Sequence, residues 1–161
     1  HYLKRHYGNR MFLRMNHAFK KCLKKNGRVE FSALKNFVFY PRNPFPHQIA
    51  GSYSSRLNAD KTRLLVEIKP FDVPPQNGLV TEYYFQLILV TGDPSEENRL
   101  EVETMESPLF PYGKDRTNTV RFETDLPEDR PWLAMIKLNS LEINELANHG
   151  KHYGIVVIGW S

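Results

Sequence analysis

The stretch that decides the fold runs from Thr81 to Thr91 and reads Thr-Glu-Tyr-Tyr-Phe-Gln-Leu-Ile-Leu-Val-Thr. It is the longest uninterrupted run of β-forming residues in the sequence. Because side chains in a strand alternate between two faces, one face of this run is fully apolar and the other is mixed. The apolar face holds Tyr83, Phe85, Leu87 and Leu89, and the mixed face holds Glu82, Tyr84, Gln86 and Ile88. The run therefore predicts a central strand with one face on a core.

Shorter alternating segments lie on both sides of this run and are separated by turn residues. They predict strands over residues 51–58, 62–69, 99–105, 118–124, 132–138 and 152–160. Residues 59–61 predict a hairpin turn, and residues 141–150 fit either a short helix or a bend. The last strand is apolar on both faces at residues 155–158, which predicts an internal position.

About seven strands with regular turn signals predict an antiparallel β-sandwich of the immunoglobulin-like kind. The single cysteine, Cys22, excludes the two-cysteine framework of an antibody domain and any intramolecular disulfide. With the helix described next, the predicted class is mainly β, of the α+β type. A length of 161 residues is enough for such a core to fold unaided.

The first segment, residues 2–25, predicts an amphipathic helix that ends at Asn26-Gly27. Its apolar stripe, at steps of three and four residues, consists of Tyr7, Met11, Met15, Ala18 and Cys22, with Phe19 beside it. Three prolines between residues 41 and 46 predict a rigid connection. We therefore divide the chain into residues 1–46, packed on or beside the body, and residues 47–161, the sandwich. Because the first residue is His1 rather than Met, we expect a preceding segment to be missing.

Charge is distributed very unevenly along the chain. Residues 1–28 contain nine cations and no acidic side chain, although the whole chain has a net charge of +4. The cations form a candidate anion-binding set: Lys4, Arg5, Arg10, Arg14, Lys20, Lys21, Lys24, Lys25 and Arg28. Such a helix fits nucleic acid or anionic lipid, or it docks by its stripe with solvated cations. The pattern leaves these three alternatives open.

Metal ligands are sparse in the sequence. His149 and His152 are close together in a predicted turn, but zinc needs three or four convergent ligands. Asp125, Glu128 and Asp129 supply oxygen atoms without the glycine-containing calcium loop. We therefore predict no metal site and no cofactor.

Catalytic and phosphate-binding motifs are also missing from the sequence. It has no Gly-x-Ser-x-Gly elbow and no glycine-rich phosphate loop, and Cys22 falls on the apolar stripe, where it is typical of a small hydrophobic residue. Tyrosine and tryptophan side chains offer a further alternative, because exposed aromatic rings stack on sugar rings or on bases. The candidates are Tyr53, Tyr84, Tyr112 and Trp160.

Four short motifs resemble a group of proteins from Bacteroidetes genomes without an assigned activity. The motifs are Asn16-His-Ala-Phe19, Phe31-Ser-Ala-Leu34, Thr81-Glu-Tyr83 and Gly154–Ile158. The resemblance implies a bacterial source and a basic N-terminal helix followed by a sandwich, and it implies nothing about chemistry.

The resulting functional prediction is a non-enzymatic binding or assembly module for another protein. Self-association through the helix is one form of this prediction. Nucleic-acid binding through the basic helix is the first alternative, and carbohydrate binding through surface aromatics is the second. The single cysteine slightly favours a reducing compartment such as the cytoplasm. No apolar run approaches the ~20 residues of a transmembrane helix.

Overall fold

The structure, a computed structural model, describes residues 2–41, 45, 53–69, 80–96, 99–111, 119–142 and 154–161. The chain begins with helix α1 (Tyr2–Asn26) and a 3-10 turn, η1 (Phe31–Leu34). The strands that follow are β1 (Tyr53–Leu57), β2 (Arg63–Ile68), β3 (Val80–Thr91), β4 (Glu101–Glu106), β5 (Phe110–Pro111), β6 (Val120–Asp125), β7 (Trp132–Glu142) and β8 (Ile155–Trp160).

The described strands form two antiparallel sheets. The smaller sheet has the order β1-β2-β6, and the larger has the order β4-β3-β7-β8, with β5 also paired to β3. Strand β3 pairs with β7 along its whole length and with β4 and β5 on its other side, so the prediction of a central strand is confirmed. The predicted class, a mainly β fold with two layers of strands and an N-terminal helix, is confirmed as well. The two-residue strand β5 was missed because its proline and short length give no alternating signal.

The first core lies between the two sheets. The predicted apolar face of β3 supplies Tyr83, Phe85, Leu87 and Leu89, and β7 supplies Trp132, Ala134, Ile136 and Leu138. The smaller sheet contributes Leu64, Val66 and Ile68 from β2 and Val120 and Phe122 from β6. Period-two alternation in four strands therefore meets in one apolar layer, as the sequence predicts.

The second core lies on the opposite face of the larger sheet, beneath helix α1. Ile88 and Val90 of β3 and Leu133 and Met135 of β7 pack there with Met11 of the helix. Phe31 and Leu34 of η1 are buried in the same core, and Met15, Ala18 and Phe19 of the helix add partly buried contacts. The mixed face of β3 is thus buried at its C-terminal half, which the prediction of a single core face did not include.

Helix α1 has the predicted extent and the predicted end. Gly27 follows it with φ 77°, and its N–H donates to the carbonyl of Leu23 at 2.9 Å. Glycine adopts this left-handed conformation at little cost, which is why Asn26-Gly27 ends the helix.

The predicted internal position of the last strand is wrong. Strand β8 is the end of the larger sheet among the described strands, paired with β7 alone. Its side chains are apolar on both faces because Val156 and Ile158 point into the first core while Ile155 and Val157 point into the second. An edge strand in a sheet covered on both faces has the same composition as an internal one.

The proline-rich connection contributes to the body of the protein. Phe45, within the predicted residues 1–46, is fully buried in the core between the sheets. The division of the chain at residue 46 stays a prediction. The ambiguous segment 141–150 lies outside the described residues after Glu142.

Candidate interaction surfaces

The basic helix presents a cationic outer face. Of the nine predicted anion-binding residues, five are exposed and make no ion pair or hydrogen bond with another described residue: Arg10, Lys20, Lys21, Lys24 and Lys25. At 100° per residue these five fall on one side of the helix, and Lys25 borders the buried stripe that holds Met11 and Cys22. Lys4 and Arg5 belong to the first turns of α1, where the side chains lie outside the described part of the structure.

Two other members of the predicted set are held by neighbours. The guanidinium of Arg14 donates to the carbonyl of Val38 and lies 5.0 Å from the ring centre of Phe37. Arg28 Nε donates to Glu30 Oε1 at 2.7 Å, and this hydrogen bond lowers the pKa of the Glu30 carboxyl. These two cations therefore fix the segment that follows the helix as well as adding positive charge.

Cys22 is buried on the stripe, as predicted. Its thiol donates to the carbonyl of Arg28 at 3.7 Å and accepts from Asn26 Nδ2 at 3.5 Å. It is buried near the end of the helix, where its thiol is hydrogen-bonded to the segment that follows.

A second surface runs along the outer edge of the larger sheet. We call Leu100–Leu109 the β4 edge. All six residues of strand β4 are exposed. Half of the large exposed apolar side chains among the described residues belong to this segment: Leu100 (40%), Val102 (43%), Met105 (41%) and Leu109 (49%).

This exposure follows from how the layers are built. The larger sheet contributes side chains to the two cores from β3, β7 and β8 and, at Phe110, from β5. Strand β4 contributes none. Strand β4 thus extends past both the smaller sheet and helix α1, and both of its faces meet solvent. In the sequence, the alternation of Leu100 and Val102 with glutamates indicates a strand with one buried face. No local signal distinguishes such a strand from one that is exposed on both faces.

The β4 edge is acidic within the strand itself, which holds three glutamates and no cation. Glu101 pairs with Arg130 at 2.9 Å, and Gln86 Nε2 donates to Glu106 Oε1 at 3.0 Å. The Glu103 carboxylate makes no hydrogen bond or ion pair with another described residue.

A row of polar residues crosses the larger sheet on the face that carries the second core. Gln86 lies opposite Glu106 of β4 on one side and opposite Lys137 of β7 on the other. Lys137 is 5% exposed, and burial lowers its pKa from 10.5 to about 8. The negative charge of Glu106 acts in the other direction and raises this pKa, but by less than burial lowers it. Next to this row, Asn139 Nδ2 is buried without a hydrogen-bond partner among the described residues. Nothing in the local sequence pattern marks these residues, because they follow the same alternation as the apolar ones.

A shallow groove of about 620 Å³ lies on the exposed face of the smaller sheet. Its charges are largely paired: Arg121 binds Glu67 at 3.1 Å, and Glu123 binds Arg63 at 2.8 Å. These cross-strand pairs account for the charged surface without a ligand.

The aromatic candidates for sugar binding are partly used in packing. Tyr53 meets Phe45 at a ring distance of 5.3 Å, and Trp160 packs beside the second core with Lys35 Nζ 5.6 Å from its ring centre. Tyr84 is half-buried. Tyr112, like His149 and His152, lies outside the described residues.

Across the described residues, no three His, Cys, Asp or Glu side chains come together as metal ligands, and Asp125 is bound to Arg63. No helix in this part of the chain has the length and apolar character needed to cross a bilayer. Comparison with protein-family models, with curated proteins and with solved structures finds no match for this chain.

Proposed function

We propose that this protein is a non-enzymatic binding module that contacts another protein through the β4 edge. The observation that supports it is the concentration of exposed apolar side chains in and beside an edge strand that neither core covers. Exposed apolar side chains that cluster in one segment are typical of interaction sites, and here Val102 and Met105 lie on opposite faces of the strand. An edge strand also offers main-chain N–H and C=O groups to an added strand, which is a common mode of peptide recognition.

The finer description of the fold belongs to the same proposal. We infer an immunoglobulin-like sandwich, in which the chain passes from the smaller sheet to the larger at β3, returns at β6 and crosses again at β7. Repeated crossing between two antiparallel sheets is typical of that architecture. Many sandwiches of this kind serve as binding modules, which is an argument by analogy with the fold.

The proposal is tested with a displayed library of random twelve-residue peptides selected on the immobilised protein. Hydrogen exchange on the selected complexes then locates the binding site. We expect protection of the amides of residues 101–106 and loss of binding in the Val102→Ser, Met105→Ser variant. Leu57→Ser, on strand β1, removes a side chain of equal exposure and is the control. Selected peptides that protect other segments, or a selection that yields none, would contradict the proposal.

Binding of a polyanion such as nucleic acid is the second candidate, supported by the outer face of α1. The helix is held on the sheet by Met11, so its exposed cations form a fixed row rather than a free arm. Fixed cations contact successive phosphates with less loss of side-chain and backbone freedom than a disordered segment does.

Fluorescence anisotropy with a labelled duplex at several salt concentrations tests this second candidate. Each phosphate contact contributes about −0.9 to the slope of log affinity against log salt. The Lys20→Ala, Lys24→Ala variant should therefore have a slope reduced by up to about 2. The control is Arg56→Ala, Lys69→Ala, which removes the same charge from exposed positions of the sandwich. An equal loss in both variants, or no binding at low salt, rules out a helix-based site.

A further inference from the structure

We infer that the β4 edge selects one kind of partner, an extended segment in which cationic and apolar side chains alternate. This inference rests on the proposed function and adds the chemistry of the partner. It follows from the arrangement of charge and apolar surface on the two faces of β4.

The register of β4 against β3 separates its side chains into two sets. Glu103 and Met105 pair with Leu89 and Leu87 of β3, whose side chains belong to the first core. Glu101 pairs with Thr91 and lies on the same face of β4, because side chains alternate along a strand. Val102 and Thr104 pair with Val90 and Ile88, whose side chains belong to the second core. One face of β4 is thus acidic with a methionine at its end, and the opposite face begins with valine.

An added strand would place its own side chains directly opposite these, at about 4.5–5.5 Å between Cβ atoms. Cationic residues two positions apart would meet Glu101 and Glu103 on one face. The residue between them would meet Val102 on the other face. Because opposite charges across strands stabilise pairing and like charges oppose it, the alternation cation-apolar-cation fits this edge.

The carboxylates are available for such pairing to different degrees. Glu103 is exposed and has no partner among the described residues, so a cation opposite it gains an ion pair without breaking another. Glu101 is shared with Arg130, whose side chain is half exposed, and Glu106 already accepts from Gln86. Glu103 is therefore the residue expected to decide charge selectivity.

A second copy of this chain is the disfavoured occupant. Antiparallel pairing of two β4 strands would bring three glutamates of one copy alongside three of the other. Inward-pointing and edge charges of this kind are the means by which natural sheets prevent edge-to-edge association. The acidic edge thus excludes self-pairing while remaining open to a basic strand.

The test uses the full chain and three labelled ten-residue peptides that alternate valine with lysine, threonine or glutamate. We expect the lysine peptide to bind about tenfold more tightly than the threonine peptide, and the glutamate peptide to bind least. Hydrogen exchange should place the lysine peptide on residues 101–106. The Glu103→Lys variant should lose most of the preference for lysine. Glu128→Lys changes the net charge equally at an exposed loop position and should keep that preference.

The outcomes separate this inference from the proposed function. If the threonine and lysine peptides bind equally and both protect residues 101–106, the edge binds strands without charge selection, and the inference is overturned while the proposed function stands. If the lysine peptide protects the helix or another surface, or if no peptide protects β4, both fail. Retention of lysine preference in Glu103→Lys also overturns the inference, because another acidic surface then supplies it.

Discussion

The two edge strands of the larger sheet, β8 and β4, differ in how far their side chains are exposed to solvent. Strand β8 ends the sheet on one side, yet Ile155 is 3% exposed and its neighbours alternate between the two cores. Strand β4 ends the sheet on the other side and is exposed at every position. The difference arises from the layers above and below the sheet, since the smaller sheet, helix α1 and η1 cover β8 and leave β4 uncovered.

One row of paired residues crosses the sheet between these extremes. It runs from Glu106 of β4 through Gln86 and Lys137 to Ile155 of β8. Exposure falls along this row: Glu106 is exposed, and the exposed fractions of Gln86, Lys137 and Ile155 are 8%, 5% and 3%. Along this row, exposure is lost between β4 and β3 and stays low as far as Ile155 of β8, and the variants below test that difference between the two edges.

The largest expected effect comes from loosening the helix that covers β8. Met11 is 4% exposed in the second core, so Met11→Asp buries a charge without a partner and should destabilise the protein by more than about 3 kcal/mol. Lys21→Asp, on the exposed face of the same helix, should change the free energy of unfolding by less than about 0.5 kcal/mol. Chemical denaturation measures both. Equal midpoints for Met11→Asp and the wild type would mean that the helix does not cover the sheet.

Matched truncations of the two edges compare them directly. Ile155→Ala should cost about 2–4 kcal/mol, because it removes a buried side chain and leaves a cavity. Val102→Ala should cost less than about 0.5 kcal/mol, because its side chain already meets solvent. Urea denaturation of the two variants gives both values, and similar costs would show that the edges are equally covered.

A smaller effect is expected from adding one methyl group to β8. A Cβ atom at Gly159 would lie 2.9 Å from the ring of Trp132, which is itself buried in the first core. Gly159→Ala should therefore destabilise the protein by about 1–3 kcal/mol through overpacking. The melting temperature should fall, and near-ultraviolet circular dichroism of Trp132 should change. An unchanged melting temperature would place this part of β8 away from the core.

The effect that is smallest at neutral pH is a pH dependence that comes from Lys137, in the middle of the row, and it grows above a pH of about 8. Burial lowers the pKa of Lys137 to about 8, whereas an unfolded lysine keeps a value near 10.5. Between these values the unfolded chain holds a proton that the folded chain has lost, so the free energy of unfolding should rise with pH. Lys137→Met lacks this contribution, so the difference in unfolding free energy between wild type and variant should change by roughly 3 kcal/mol across that window. Parallel stability curves would show that Lys137 is not buried as a neutral amine.

Much of this architecture could be predicted from the sequence. The run 81–91 gave the central strand, residues 59–61 gave the hairpin, and Asn26-Gly27 gave the end of the helix, because each depends on local chemistry. The position of β8 could not be predicted, since Ile155 and Val157 are apolar for an edge covered by a helix just as for an internal strand. Only the three-dimensional arrangement of layers separates the two cases.

The candidate surfaces were predicted to a smaller extent. The cations of α1 are visible in the sequence, and the structure adds that five of them are exposed and on one side. The β4 edge was missed because Leu100 and Val102 alternate with glutamates as they would in a strand with one buried face. They are exposed because the smaller sheet, with three described strands, does not reach over β4. The number of strands in the opposite sheet is a property of the whole fold.

Native-state hydrogen exchange over residues 101–106 and 155–160 tests the contrast between the two edges most directly. The amides of β8 that pair with β7 should exchange only with global unfolding, and those of β4 that pair with β3 should exchange through local opening at a much lower free energy. Increasing denaturant should accelerate exchange strongly in β8 and weakly in β4. Equal protection and equal denaturant dependence in the two strands would contradict the account, because both edges would then be equally covered.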